Sequence, residues 1–464
     1  MSSFHIFKGP SLCGFGAVIL TIPDDMIDAT DSKKSQELIE IDGDIDSTFN
    51  IPNDANILII SKDQSFLTHG IHKFPAKFFP ELPRYLIRRY SKIGDSVLDP
   101  MCGSGTVVLE ALLNDRAAVG IDIDPMANLI TKVKTTPILE RSLLSSKDIL
   151  LQKITEFANS NDIMLPIPEF PYRDKWFREC VLRELAIISA SIDETVTHYR
   201  GSTRKNLFDF YRIIMSSIIR DMSNADPHCT RTVLRKKVIK NINEGDTLSR
   251  FSQQLEHQIE AMMSFSRLYP TLKTKSVSLL AGTAIKTGLD ASSIHLVITS
   301  PPYINAVDYP RTHQLEMYWL GLLGNGPLSK IKRTYIGTET VYKHEFDELK
   351  HYGLPLLDRI LKKVYERDPR RSYIVFKFFN DMENQLRETM RVLKPGGRYC
   401  IVVGTNVIRG IRIDSHIILT KIAVERVGFS FEKMFFSKLI RHFIKIPRQE
   451  RMMGEWVLTL RKPN

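Results

Sequence analysis

No stretch of the 464-residue chain carries the about 18 consecutive apolar residues that a membrane-crossing helix needs, so a spanning topology is not expected. The segment nearest to a signal peptide, residues 12–22, holds two glycines, is preceded by the single cation Lys8 and is followed by acids, which argues for a cytoplasmic protein. Cysteine is scarce and scattered. Cys13, Cys102, Cys180, Cys229 and Cys400 are odd in number and form no Cys-x-x-Cys pair, which excludes a disulfide framework and a structural zinc site and requires no metal. Two nucleotide signatures are missing as well. No Gly-Lys-Ser/Thr follows a glycine turn, which disfavours a P-loop, and no Gly-x-Gly-x-x-Gly marks a nicotinamide site.

The composition that remains, 43% hydrophobic and 25% charged, is that of an ordinary globular protein. Its net charge of +11 is unevenly spread. Residues 1–60 hold three lysines against ten Asp and Glu, a net of −7 that leaves +18 on the rest. A body that basic favours a polyanionic partner through counterion release. The simplest reading of residues 1–55 is a flexible acidic arm, which competes with a polyanion if it lies over a basic groove.

One apolar run ends abruptly. Ile294-His295-Leu296-Val297-Ile298 leads into Thr299-Ser300-Pro301-Pro302-Tyr303, the pattern of a buried strand closed by prolines at its carboxyl end, where an open α/β sheet places its ligand. Two prolines fix φ and donate no N–H, so nearby carbonyls are held as acceptors. With the Ser300 hydroxyl and the flat ring of Tyr303, the corner suits a planar group bearing an exocyclic amine, such as a flipped nucleobase. Read alone, it is equally a proline-terminated strand with a core tyrosine.

A second unit lies upstream. The strand-like Ser96-Val97-Leu98 runs into Asp99-Pro100-Met101-Cys102-Gly103-Ser104-Gly105-Thr106 and then into an apolar helix pattern through Leu113. Glycines at 103 and 105 leave room for a ligand to approach the backbone. Ala117 to Asp122 reads as a second strand whose terminal acid is placed to accept from ribose hydroxyls. A carboxylate at Asp99 repels phosphate and attracts an ammonium group, so a nucleoside with a cationic amino-acid end fits, and S-adenosylmethionine is such a molecule. Before this unit come the strand-like Asn56 to Ser61, the Pro- and Phe-rich stretch His69 to Pro80, and a helix over Glu81 to Tyr90.

Together these stretches resemble the amino-methylating DNA methyltransferases, a class of the S-adenosylmethionine-dependent Rossmann-like family. The likeness runs through His69 to Pro80, Asp99 to Thr106, Asp122, Ser300 to Tyr303 and Val392-Leu393-Lys394-Pro395-Gly396-Gly397, and Asn305 to Tyr309 with Arg311 is similar to cytosine-specific members. It implies an α/β fold, a Rossmann-like sheet with helices on both faces. It implies a cofactor site at Phe74, Pro75, Ala76, Asp99, Pro100, Gly103, Gly105, Thr106, Asp122 and Thr283. The catalytic corner would be Ser300, Pro301, Pro302 and Tyr303, acting on the 4-amino group of cytosine in double-stranded DNA. Adenine 6-amino methylation, RNA methylation and a catalytically silent binding subunit stay open. No cysteine has a proline neighbour, so the Cys-Pro nucleophile of ring-carbon methylation is absent. Relatives commonly carry an acid where Thr283 stands and another where His295 stands, which lowers the expected cofactor affinity.

The implied organisation is an arm over 1–55, a cofactor half over 56–138, a separate helical insert over 139–275 and a catalytic half over 276–464. Apolar stripes in the insert (Leu182, Leu185, Ile188, Ile192; Phe208, Tyr211, Ile214, Ile218; Phe251, Leu255, Ile259, Met262) read as core. The run Arg231, Arg235, Lys236, Lys237 and Lys240 reads as phosphate contacts or a solvated face, the insert as a place for target recognition, and the segment 321–344 as its rival. In the C-terminal part the expectation is a strand over Arg398 to Val403, a helix over Ser415 to Val427 and a closing strand over Trp456 to Leu460. Between the last two, Lys438, Arg441, Lys445, Arg448 and Arg451 form a second basic cluster aimed at a duplex, which would also meet Arg311.

Overall fold

The computed structural model describes residues 38–464 apart from 161–164, 235–239, 305–307, 324–327 and 439–452. The expected sites Arg235, Lys236, Lys237, Arg441, Lys445 and Arg448 lie outside the described residues, as do residues 1–37.

Nine strands form one sheet: β1 (Leu38–Asp42), β2 (Asn56–Ile60), β3 (Ser96–Asp99), β4 (Ala117–Ile121), β5 (Val277–Leu280), β6 (Ile294–Thr299) and β7 (Leu393–Gly404), then, beyond a small hairpin of β8 (Asn406–Ile408) and β9 (Ile411–Ile413), β10 (Ser430–Lys438) and β11 (Gly454–Arg461). Their order across the sheet is β1-β2-β10-β11-β7-β6-β3-β4-β5. All neighbours are parallel except β11, which runs antiparallel to both β10 and β7. The chain steps outward from β3 to β4 and β5, then returns to place β6 on the other side of β3. That reversal opens a crevice at the carboxyl ends of β3 and β6, where doubly wound sheets bind their ligands.

Alternation along the strands explains why both faces are covered. Val97, Leu296, Ile298, Val402 and Val457 turn to a face packed by the helices Glu81–Tyr90 and Thr106–Leu113. Leu98, Val297, Ile401, Val403 and Leu458 turn to the other, packed by the helix Pro369–Val392 and its neighbours. The strand expected over Arg398 to Val403 begins earlier, at Leu393, and the helix expected over Ser415 to Val427 is α-helical to Lys421 and π-helical from Ile422 to Val427.

Three expectations need correction. Residues 38–55 are no flexible arm: β1 pairs in parallel with β2, Ile45 and Ile51 are buried, and Asp44 pairs with Arg84. Apolar residues at Leu38, Ile39 and Ile41 give this acidic segment a strand it can bury. The helical segment is also not separate. Its helices Glu140–Ala158, Glu179–Thr197, Gly201–Ile219 and Asp246–Leu268 share one continuous core with Leu109, Leu112, Met126 and Ile130 from the helices that follow β3 and β4. The stripes do lie in that core, with Phe208 at its edge beneath the Arg212 guanidinium. Finally, Lys240 is half-buried, and its ammonium is not free on a solvated face. Its ammonium donates to the Arg220 and Asp221 carbonyls at 3.1 Å, satisfying acceptors at the end of the helix Gly201–Ile219.

Among the described residues no helix is long and apolar enough to cross a membrane, and no group of three His, Cys, Asp or Glu could hold a metal ion.

Candidate active site

Asp99 ends β3 and Thr299 ends β6, and the two strands are hydrogen-bonded neighbours, so the two stretches singled out in the sequence meet side by side. The Thr299 hydroxyl donates to Asp99 Oδ1 at 2.8 Å, and the Met101 amide donates to the same oxygen at 3.1 Å. Next to β3, the end of β4 delivers Asp122. Its carboxylate accepts from the Gly103 amide (2.7 Å) and the Asp124 amide (2.8 Å), which ties the glycine turn to the second strand. Asp124 caps the helix Pro125–Thr135 with Oδ1, accepting from Met126 at 2.8 Å, while its Oδ2 is buried with no hydrogen-bond partner among the described residues.

These ends surround a cavity of about 470 Å³, a size typical of nucleotide and drug pockets. From the cofactor half, Phe74, Ala76, Asp99, Pro100, Gly103, Thr106 and Asp122 line it. From the catalytic half come Thr283, Ser300 and Pro302. Pro75, Gly105, Pro301 and Tyr303 do not. Pro301 is buried beneath the corner, and Tyr303 packs into the core on the other side of it.

The two glycines serve different ends. Gly103 and Gly105 both have positive φ, +51° and +75°. A Cβ on Gly103 would meet only the ring edge of Phe74 at 3.2 Å, beside the cavity, whereas a Cβ on Gly105 would come within 2.5 Å of Thr131 Cγ2. Gly105 is small to let the helix Pro125–Thr135 pack, not to admit a ligand. Phe74 itself lies between Tyr309 and His313, with centroids 5.4 and 5.2 Å away. The loop that carries it is pinned by its histidines: His69 Nε2 to Glu110 at 2.9 Å, and His72 Nε2 to Ser216 of the helical insert at 2.7 Å. Lys77 turns its ammonium to the Gln64 and His69 carbonyls, and burial lowers its pKa to about 8.

The electrostatics at the cavity floor are one-sided. Asp99, Asp122 and Asp124 are close together and buried or nearly so, and among the described residues none has an ion-pair partner. Burial, with the neighbouring carboxylates adding to it, pushes Asp99 and Asp122 up to about 7, and burial raises Asp124. Three carboxylates at the cavity floor with no ion pair of their own suit a cationic ligand, whose charge would favour their ionised form. At its other side, Ala284 and the exposed Ile285 offer an apolar wall next to the Thr283 hydroxyl.

Several lining residues carry no local sequence signal. Arg333, Tyr335 and Ile336 close the cavity from the segment 321–344, and Lys377 and Asp381, an ion pair at 2.5 Å, reach it from the helix Pro369–Val392. The Tyr335 hydroxyl is buried beside Asp124, and burial, with that neighbouring charge adding to it, raises the phenol's pKa. Asp124 was within reach of inspection, since Asp-Pro at a strand-to-helix junction is a helix cap. His295 sits at the amino end of β6, bonded to Ser96 and Lys394, far along the strand from the cavity. Its departure from the related pattern therefore does not touch the cofactor site. Arg311 is exposed on the short helix Tyr309–Thr312, whose Tyr309 lines the cavity.

A Rossmann-like sheet with its switch-point crevice lined by carboxylates is the architecture on which S-adenosylmethionine-dependent methyltransferases are built. Comparison with known proteins narrows it. A family model described as DNA methylase matches residues 29–132. The type II methyltransferase M.MvaI of Kocuria varians is 25% identical over 426 residues, 86% of this chain and 88% of the relative. M.BsoBI of Geobacillus stearothermophilus is 23% identical over 82% of this chain and 81% of its own length, and M.MjaI of Methanocaldococcus jannaschii is 38% identical over 90 residues, 19% of this chain and 27% of the relative. The family match and these relatives support a place among the amino-methylating DNA methyltransferases, whose methyl donor is S-adenosylmethionine.

Proposed function

We propose that the protein methylates the 4-amino group of a cytosine flipped out of double-stranded DNA, as the modifying member of a restriction-modification pair. The observation that carries the reading is the adjacency of Asp99 and Ser300 at the ends of neighbouring parallel strands, lining one cavity. The unpaired carboxylates fit a cationic cofactor. Asp99 would take the ammonium of its methionine end, Asp122 the ribose hydroxyls, Thr283 with Ala284 and Ile285 the adenine, and Phe74 and Ala76 the side nearest the sulfur. Bound there, S-adenosylmethionine supplies a methyl group to the base nitrogen, the N–C bond forming as the C–S bond breaks with its electron pair left on sulfur.

Ser300 Oγ, on the cavity wall, would accept an amine proton, pulling the nitrogen toward sp³ and freeing its lone pair. Orientation supplies much of the rate, because a well-placed pair behaves as if at very high local concentration. Arg311 and the basic residues at Arg231 and Lys438, all exposed, would hold phosphates and so position the duplex without reading it. The helical insert over 139–275 is the proposed place for reading the target. Serine at position 300, where relatives that act on adenine commonly carry Asp or Asn, favours cytosine.

The test is incubation with labelled cofactor and unmodified DNA, followed by digestion to nucleosides. N4-methylcytosine is expected; N6-methyladenine would replace the substrate assignment, and unmethylated DNA would overturn the reading.

A further inference from the structure

One pair of cavity residues comes from neither the glycine turn nor the proline corner. Lys377 and Asp381, on the helix Pro369–Val392, line the cavity together with Thr283, Ala284 and Ile285 of the loop between β5 and β6. The two stand one turn apart, and Glu388, about two turns further on, falls on the same face of the helix. Glu388 fastens that face to the loop, its Oε1 accepting from the Thr287 amide at 2.9 Å and from the Thr287 hydroxyl at 2.6 Å. The helix face that carries Lys377 and Asp381 therefore runs along the loop, which brings the ion pair and the apolar wall of Ala284 and Ile285 to the same part of the cavity.

The pair keeps an acceptor and a donor in reserve. Lys377 Nζ donates to Asp381 Oδ2 at 2.5 Å, which leaves Asp381 Oδ1 with no hydrogen-bond partner among the described residues and the ammonium with hydrogens to spare. Their side chains are 26% and 18% exposed, so neither is sealed in the core. The loop has less to offer. The Thr283 amide donates to the Lys286 carbonyl at 3.1 Å, and its carbonyl accepts from the Lys286 amide at 3.0 Å, so Thr283 keeps only its hydroxyl for a ligand. Against an amine, that neutral hydroxyl is a weaker acceptor than a carboxylate. A flat ring lying on Ala284 and Ile285 would satisfy the pair if it turned an N–H donor and a ring-nitrogen acceptor, side by side, toward the helix. The edge of adenine that carries the 6-amino group and N1 has that pattern.

We infer that Asp381 accepts the 6-amino group of the cofactor's adenine, with Lys377 fixing the carboxylate and donating to N1, an inference that rests on the proposed placement of the adenine beside Thr283, Ala284 and Ile285. The cofactor's base is thus read from a helix far along the chain from β5. Thr283 need not carry the amine, and the lowered cofactor affinity expected from it does not follow.

The test is calorimetric binding of S-adenosylhomocysteine and of its analogue with unsubstituted purine in place of adenine, which lacks only the 6-amino group. The full chain is titrated as wild type, Asp381→Ala, Asp381→Asn and Thr283→Val, with melting temperatures measured alongside. The wild type is expected to bind the purine analogue ~10- to 100-fold more weakly than S-adenosylhomocysteine, the scale of one hydrogen bond to a charged group. Asp381→Ala should bind S-adenosylhomocysteine more weakly by a similar factor. It should then lose less than about threefold more on the purine analogue, because the partner of the amine is already gone. Asp381→Asn keeps the side chain's shape and should lose the discrimination as well, its oxygen held by Lys377 and its N–H₂ turned to the amine. Thr283→Val should keep it. Equal binding of the two ligands by the wild type, full discrimination in both Asp381 variants, or discrimination lost in Thr283→Val instead would overturn the role of Asp381 and leave the cofactor site standing. Wild-type protein that binds neither ligand would overturn the placement of the cofactor, and the role of Asp381 with it.

Discussion

Two polar clusters sit at opposite ends of the same strand pair, β3 and β6. At the amino end, Ser96, His295, Asp95 and Lys394 form a closed set: Ser96 Oγ to His295 Nδ1 at 2.8 Å, Lys394 Nζ to His295 Nε2 at 2.8 Å, and Asp95 at 3.3 Å from the same nitrogen. It has the residue types of a hydrolytic triad, yet every group has a partner inside the cluster. At the carboxyl end, Asp99, Asp122 and Asp124 face the cavity without an ion-pair partner among the described residues, while the cations lining the same cavity are committed elsewhere, Lys77 to backbone carbonyls, Arg333 to Glu345 and Lys377 to Asp381. A folded chain tolerates buried charge without a partner only where something else supplies the partner. What separates a ligand site from a structural network here is the absence of internal compensation, rather than the chemistry of the residues.

The largest effects should divide the carboxyl-end site into its two halves. Replacing Ser300 by Ala is expected to slow methyl transfer by ~100-fold or more, the scale of losing one oriented polar partner of a transition state, with cofactor affinity within about threefold. Replacing Asp99 by Ala should do the reverse, weakening the cofactor ~10- to 100-fold as a charged hydrogen bond is lost. Equal losses of rate and affinity in both variants would break the division.

Proton linkage sharpens the contrast between the ends. Asp99 and Asp122 stand at about 7 in the folded protein without ligand, against a reference near 3.8. Their folded pKa is raised, so their contribution to stability is fully present below the unfolded value and is lost as pH rises through about 7. The ligand-free protein should therefore gain melting temperature from these groups as pH falls from 8 toward 5. A cationic ligand needs them ionised, so its affinity should fall over the same range, and calorimetry in buffers of different ionisation enthalpy should register proton release on binding at pH 6. Affinity that is flat from pH 8 to 6 would contradict the account.

Smaller effects separate the two glycines and then the amino end. Gly105→Ala should cost about 2–4 kcal/mol, from the clash with Thr131 and the positive φ, read as a fall in denaturant midpoint, while Gly103→Ala should cost less stability and more cofactor affinity. His295→Ala should cost about 1 kcal/mol and leave methyl transfer unchanged, since its hydrogen bonds are half-exposed and lie at the far end of the strands. A loss of transfer there would mean that the amino-end cluster is not merely structural.

Much of this was legible from the chain. The proline corner after Ile298, the Asp99 to Thr106 turn and the strand ending at Asp122 are local patterns, and strand–turn–helix units fold as such wherever they stand. What the sequence hid depends on separation along the chain. Lys377 and Asp381 are one ion pair among many at helical spacing. The role of Gly105 is set by Thr131, 26 residues on, so a Gly-x-Gly pattern could not assign it. The acidic composition around Leu38–Asp42 outweighed a short apolar alternation that the sheet edge uses. The helical stripes were read as core, but a stripe does not say whose core it joins, and here it joins that of the helices following β3 and β4.

The most direct test is a crystal structure with S-adenosylmethionine bound. The ammonium is predicted to lie on Asp99, the ribose on Asp122, and the sulfonium methyl to face the Ser300 hydroxyl across the crevice between β3 and β6. A cofactor bound elsewhere, or one in this cavity with its methyl turned away from Ser300, would contradict the account.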